Sequence, residues 1–303
     1  AFLAETMKQP DVEPADHAIA LEALGTAYCP SPRNPTEAIL TNRIGDVHID
    51  RDGHIATVTI RKPPVNSVNV ELMRDLADAL EGLDKDGATR AVVLATEGKV
   101  FCAGADLSGR ASEVGLDARQ PESRMANPLY EQAVRLYSTE LPIVAAIQGA
   151  AVGAGLGLAL VADFRVAAPE AKFAANFTKL GFHPGFGLTY TLPRLIGRQK
   201  AAEMFLTGGR YDADAALNMG LVDEVTDIAD LLPHALAWAE SMAENAPLAV
   251  RSTRKTLRAD LAAGVKAATD HEFVEQQWLM KTEDFKEGVK SVAERRPGDF
   301  KGR

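Results

Sequence analysis

Cysteine is nearly absent from this chain: Cys29 and Cys102 are the only two in 303 residues, far apart and outside any metal-ligand spacing. A disulfide framework is excluded, a zinc site is unsupported, and two free thiols fit a reducing, cytoplasmic compartment. Basic residues are in the minority, 33 Lys and Arg against 42 Asp and Glu, for a formal net charge of -9. Such a chain does not wrap nucleic acid, although a local basic pocket for a small anion stays open. No apolar run approaches the roughly 18 residues of a membrane span. The first residues also lack a basic segment followed by an apolar core, so neither a membrane span nor a signal peptide is expected. Histidine is sparse as well. His48, His54, His234 and His271 stand on expected strands or helices without ligand spacing, which leaves them surface or core roles and no metal.

What is present reads as an α/β protein. Residues 1–42 are set apart by Pro10, Pro14, Pro30, Pro32 and Pro35 around an Ala/Leu-rich piece at 15–27, an extension with one short helix. From residue 43 the character changes. Val47 to Ile60 alternates β-branched residues around Asp52-Gly53, a hairpin signature. Asn69 can cap a helix running to Leu83, with Leu72, Leu76, Ala79, Leu80 and Leu83 on one face, and Ala91 to Thr96 is a buried strand. Strand, helix, strand in that order implies a parallel crossover. Residues 108–128 have no period and read as a mobile loop. Leu129 to Thr139 is helical, and Asp163 to Ala167 is a strand. Beyond Val225 the pattern is helical over 231–244, 248–263, 265–279 and 283–294. Three divisions follow: the extension at 1–42, a core at 43–230 and a helical region at 231–303.

The stretch Leu141 to Asp163 organises the core: a short apolar strand, glycines at 149, 153, 155 and 157, then an Ala/Leu run. Such a strand-turn-helix leaves N–H groups at the helix mouth without intrahelical partners, free to receive an oxygen carrying negative charge. Taken alone it equally describes a close-packed crossover without chemistry. A second small-residue turn follows another strand at Ala103-Gly104-Ala105-Asp106. Two such turns can present backbone donors to one oxygen, and losing a donor of this kind typically costs about 3–4 kcal/mol of barrier.

The motifs that carry a resemblance are Arg61-Lys-Pro-Pro-Val-Asn, Phe101-Cys-Ala-Gly-Ala-Asp-Leu, Pro142-Ile-Val-Ala-Ala-Ile-Gln-Gly, Gly153-Ala-Gly-Leu-Gly-Leu-Ala, Gly197-Arg-Gln-Lys-Ala, Leu206-Thr-Gly and Ala216-Leu-Asn-Met-Gly-Leu-Val-Asp. In this order and spacing the chain from residue 44 onward is similar to the crotonase (enoyl-CoA hydratase/isomerase) superfamily. The resemblance implies a spiral of ββα units with a helical C-terminal region that builds homotrimers or dimers of trimers. It implies an acyl-CoA thioester partner, with coenzyme A present only as part of the substrate and no separate cofactor. The oxyanion hole would be the N–H groups of Ala105 and Ala154. The adenine would rest near the backbone of Phe101, Ala103 and Gly104, with Pro64 and Val65 beside the nucleotide and Gly153 close to the acyl group. Lys281, Phe285 and Lys301 are the candidates for closing the pocket from a neighbouring C-terminus.

The pattern departs from family hydratases at two decisive places. Those enzymes hold and activate water with two glutamates; here the matching positions are Gly157 and Phe177. Neither side chain can transfer a proton. His183 is the candidate replacement, since imidazole titrates near neutral pH, with Tyr130, Glu131 and Asp106 as further acid–base candidates and Cys102 as a packing thiol. Phe173, Phe177, Phe182 and Phe186 either line an apolar acyl pocket or pack an ordinary core. An apolar pocket favours isomerisation or C–C cleavage over hydration. The expected activity is therefore that of an enoyl-CoA hydratase/isomerase-family lyase or isomerase acting through an enolate. A catalytically silent acyl-CoA-binding or assembly subunit and a CoA-independent diketone hydrolase stay open beside it.

Overall fold

The computed structural model describes residues 40–105 and 127–303, the first three by backbone alone. The chain divides into Ala1–Glu37 and a compact unit Ala38–Arg303, and the described residues belong to the second. The expected helix at 15–27, Cys29, Asp106 and most of the loop at 108–128 lie outside them.

The antiparallel strands β1 (Leu40–Ile44), β2 (Val47–Asp52) and β3 (Ile55–Ile60) open the structure. The hairpin forms with its two-residue turn at Gly53-His54, one residue later than the expected Asp52-Gly53, so that Asp52 pairs with Ile55 and Gly53 takes the positive φ (55°) that the turn demands. Strand β1 straddles the expected end of the extension at residue 42; Leu40-Thr-Asn-Arg-Ile carries little alternation and is held by pairing with β2. Helix α1 (Val70–Lys85) starts as expected, the Asn69 side chain accepting from Leu72 N–H at 2.8 Å. Its face of Leu72, Met73, Leu76, Leu80 and Leu83 is fully buried, each side chain contributing about 1.5–3 kcal/mol.

Strands β4 (Ala91–Thr96) and β5 (Ile143–Ile147) follow in parallel, with α2 (Pro128–Tyr137) between them. Then come β6 (Ala150–Val152), α3 (Ala154–Ala159), β7 (Phe164–Ala167) and β8 (Lys172–Ala174), and a 3-10 turn at Asn176–Leu180. Helix α4 (Leu188–Thr207) breaks at Gly197, whose φ is 80°. Strand β9 (Arg210–Asp212), α5 (Ala213–Asn218) and β10 (Glu224–Val225) close the core. Helices α6 (Leu231–Ala243), α7 (Pro247–Leu257), α8 (Leu261–Leu279) and α9 (Glu283–Ala293) complete the chain. The break between α7 and α8 falls at 258–260, earlier than the expected gap at Gly264, which α8 absorbs.

Two sheets result, a large one in the order β1-β2-β3-β4-β5-β7-β10 and a small one in the order β6-β8-β9. Each crossover contributes a strand to the large sheet and a short pairing to the small layer. The bridges Cys102–Ala151 and Val68–Ala105 extend that layer between successive turns. Alternation in β4 splits the core: Val92 and Leu94 face α1 and α2, whereas Ala91 and Val93 meet Leu231, Ala235 and Ala239 of α6.

Asp163 ties the C-terminal helices to this core. Burial works against its charge, but Arg254 and Arg258, each at 2.8 Å, and the Ile143 N–H outweigh it and hold its carboxyl below the usual range. Arg254 and Arg258 are themselves largely buried.

Candidate active site

The two glycine turns interlock through backbone. A Cβ on Gly155 would stand 2.1 Å from Cys102 O, and one on Gly104 would stand 2.7 Å from Val152 O. Hydrogen bonds stitch the same segments: Cys102 N–H to Ala150 O, Val152 N–H to Cys102 O, and Ala103 N–H to Val65 O. Asn66, buried, fixes the third strand of this weave, its amide donating to Glu97 O and Val100 O at 2.8 Å each. Only small residues permit such proximity, which accounts for the Gly/Ala runs.

Ala154 is the first residue of α3, so its N–H has no intrahelical acceptor. Gly104, whose hypothetical Cβ would sit 3.6 Å from Ala154 N, brings the other turn alongside. Among the described residues, no hydrogen bond uses the Ala105 N–H. Ala105 and Ala154 both line a cavity of about 420 Å3.

Val65, Ala103, Gly104, Gly153, Phe177 and Phe186 line that cavity with them, so these expected site residues meet in one place. Others do not. Phe101 is fully buried behind the turn, and Pro64 is exposed. His183 is not among the lining residues; its Nδ1 lies 2.8 Å from Pro184 O and its ring stands edge-on to His271. Phe285 leans on Phe182 with ring centroids 5.2 Å apart. Lys301 reaches Asp299 with its ammonium and Asp284 with its backbone N–H.

The places of the two family glutamates are filled with rings. A Cβ at Gly157 would meet Phe186 Cδ1 at 2.5 Å, so the absence of a side chain there is the condition for the Phe186 ring. Phe186 also holds a φ of 64°, uncommon for a bulky residue. Phe177 lies over the turn, its ring 3.7 Å from where a Gly153 Cβ would be.

Phe182, named with the other rings as a pocket candidate, lines the cavity, whereas sequence reasoning missed Ser67, Asn127, Asn176, Leu180 and, from α9, Val289, Val292 and Ala293. The signal for α9 was Gly288: a Cβ there would lie 2.3 Å from the Leu180 carbonyl carbon, so a glycine lets the helix dock on the 3-10 turn. Tyr130, an acid–base candidate, does line the cavity and donates to Gln276 Oε1 at 2.7 Å. Burial, with the nearby Glu272 charge, pushes its phenol far up and keeps it protonated. Burial likewise pushes the Cys102 thiol up to about 12, consistent with a packing role.

The enoyl-CoA hydratase/isomerase family model matches residues 50–303. The chain belongs to this family. It is 40% identical to a probable enoyl-CoA hydratase, EchA14, of Mycobacterium tuberculosis over 226 residues, 74% of this chain and 86% of the relative. A putative enoyl-CoA hydratase/isomerase of Bacillus subtilis, YngF, is 36% identical, covering 83% and 96% of the two chains. Among solved structures, a carnitinyl-CoA hydratase of Mycobacterium avium superposes with a TM-score of 0.74 at 31% identity, over 86% of this chain and all of the other. The crotonase superfamily and its α/β fold with C-terminal helices, expected from the motifs, are therefore those of this protein. Among the described residues no helix is long and apolar enough to cross a membrane.

Proposed function

We propose that the protein binds acyl-CoA thioesters and polarises the thioester carbonyl between the N–H groups of Ala105 and Ala154, stabilising an enolate without the hydration that two glutamates support. The observation that carries this reading is the juxtaposition of those donors with two aromatic rings. Phe186 occupies the space beside Gly157, and Phe177 covers Gly153. A wall of this kind holds an acyl chain and excludes ordered water, which favours isomerisation or C–C cleavage. Coenzyme A enters as part of the substrate.

The test uses two substrates. With butyryl-CoA in deuterium oxide, α-proton exchange followed by NMR is expected, the α-proton passing to deuteroxide from solvent and a deuteron returning to the enolate because the described lining holds no carboxylate or imidazole; with crotonyl-CoA, the conjugated thioester absorbance is expected to persist. Rapid loss of that absorbance would overturn the reading. A binding subunit without turnover is the second reading, favoured because Tyr130, held protonated, is the one ionisable side chain among the described cavity residues. Tight butyryl-CoA binding without exchange would select it. We further infer a cytoplasmic trimer joined through large apolar side chains that α7 and α8 leave exposed, including Leu248, Leu257, Val274 and Trp278. Light scattering on the eluting protein measures the assembly directly.

A further inference from the structure

Among the described residues of the cavity wall, one fully buried side-chain donor is left without a partner. Asn127 is 1% exposed and lines the cavity at the start of α2. Its Oδ1 accepts from Leu129 N–H at 2.9 Å, which fixes the orientation of the amide. Among the described residues its Nδ2, with two donor hydrogens, has no hydrogen-bond partner. A buried donor in that state is a standing cost to the fold. Capping does not require it, because Asp and Ser cap a helix as well as Asn does and bring no amide nitrogen.

The surrounding groups narrow what could satisfy it. Gln276 donates through Nε2 to His183 O (3.0 Å) and Pro184 O (3.2 Å), so its Oε1 accepts the Tyr130 proton. Tyr130 therefore spends its hydrogen inside the protein. The described cavity lining contains no Lys, Arg or His, and a carboxylate there would be buried without a counter-charge. A neutral oxygen has no such difficulty.

We infer that Asn127 is a specificity-determining residue: its buried, unpartnered amide sits in a largely apolar cavity, whose other described polar side chains are Ser67, Tyr130 and Asn176, to receive a neutral oxygen, hydroxyl or keto, carried on the acyl chain beyond the thioester. The inference rests on the acyl-CoA reading above, and the experiment separates the two. Dissociation constants are measured by calorimetry for ester pairs that exchange a hydroxyl for a methyl: 3-hydroxybutyryl-CoA against 3-methylbutyryl-CoA, and 4-hydroxybutyryl-CoA against pentanoyl-CoA. Acetoacetyl-CoA reports the keto form.

In the wild type, the hydroxyl ester of at least one pair binds about tenfold more tightly than its methyl partner, the effect of satisfying one buried donor. In Asn127→Asp, which keeps a capping oxygen and turns the donor into an acceptor, the preference for acetoacetyl-CoA over 3-methylbutyryl-CoA falls to about one, because a keto oxygen can only accept, whereas a hydroxyl can still donate to the carboxylate. Asn127→Ser also keeps a cap, lacks the amide, and serves if the first variant does not fold. Equal affinities within both wild-type pairs, and for acetoacetyl-CoA against its methyl counterparts, would overturn the inference while leaving the acyl-CoA reading intact. So would a preference for the keto ester that survives in Asn127→Asp. If none of the esters binds the wild type, the acyl-CoA reading itself falls and takes this inference with it.

Discussion

Adding one methyl group at Gly157 tests the packing of this position against the Phe186 ring. The Cβ of Gly157→Ala would stand 2.5, 2.9 and 3.0 Å from Cδ1, Cγ and Cβ of Phe186, all well inside ordinary contact. Phe186 is fully buried and cannot swing into solvent. Overpacking of this kind costs about 1–3 kcal/mol, a fall of roughly 2–10 °C in melting temperature for a domain of this size. Removing the ring should reverse the sign. Gly157 lies inside α3 with ordinary helical hydrogen bonding, its N–H donating to Gly153 O at 3.1 Å. In a Phe186→Gly background, Ala at 157 should therefore stabilise by up to about 1 kcal/mol through helix propensity alone. The coupling between the two sites is then on the order of 2–4 kcal/mol. Urea unfolding followed by circular dichroism on the four proteins of the cycle measures it. If Gly157→Ala had the same effect with and without the Phe186 ring, the reasoning about that contact would be wrong.

Three further outcomes follow from the same geometry. Ala154→Pro removes the N–H at the first helical position, where proline is tolerated. Gly153 before it, at φ 56° and ψ -119°, is the mirror image of a polyproline conformation and has no Cβ to collide with the ring. The protein should fold, and the rate of α-proton exchange should drop about 100- to 1000-fold; an unchanged rate in a folded variant would remove Ala154 from the hole. Asp163→Asn breaks a buried pair with Arg254 and Arg258 and should destabilise by about 3–5 kcal/mol at pH 7. Because the folded-state pKa of Asp163 is lowered, its contribution is present above the unfolded value of about 3.9 and is lost as pH falls through the folded value. The gap in unfolding free energy between wild type and variant should thus be full at pH 7 and shrink below pH ~4; a constant gap would contradict the assignment. Finally, Cys102, buried and pushed up to about 12, should resist alkylation at pH 8 until the protein is unfolded, as peptide mapping of the labelled thiols would reveal.

What could be read from the sequence was whatever short-range pattern controls. The β2–β3 hairpin, the Asn69 cap, the buried β4 and the two small-residue turns all declare themselves through alternation, capping chemistry and glycine placement. Their positions held to within a residue or two. Strand β1 escaped notice because its order comes from β2 rather than from its own composition. The site was half legible. Ala105, Ala154, Gly157 and Phe177 were marked by motif position, and the cavity gathers three of them with the Phe186 ring against the fourth. Contacts between residues distant in sequence were not legible. That Phe186 fills the void beside Gly157, that Gln276 occupies the Tyr130 proton, and that α9 closes one wall are consequences of how separate elements dock, to which no local periodicity responds.

The fit between Gly157 and Phe186 also constrains how this site could change over time. A carboxylate cannot be restored at 157 by one substitution, since its first carbon already overlaps the ring; removing the ring first opens a void in a fully buried region. Either order passes through a weakened intermediate. The two positions are coupled through this contact, and a carboxylate at 157 requires both to change.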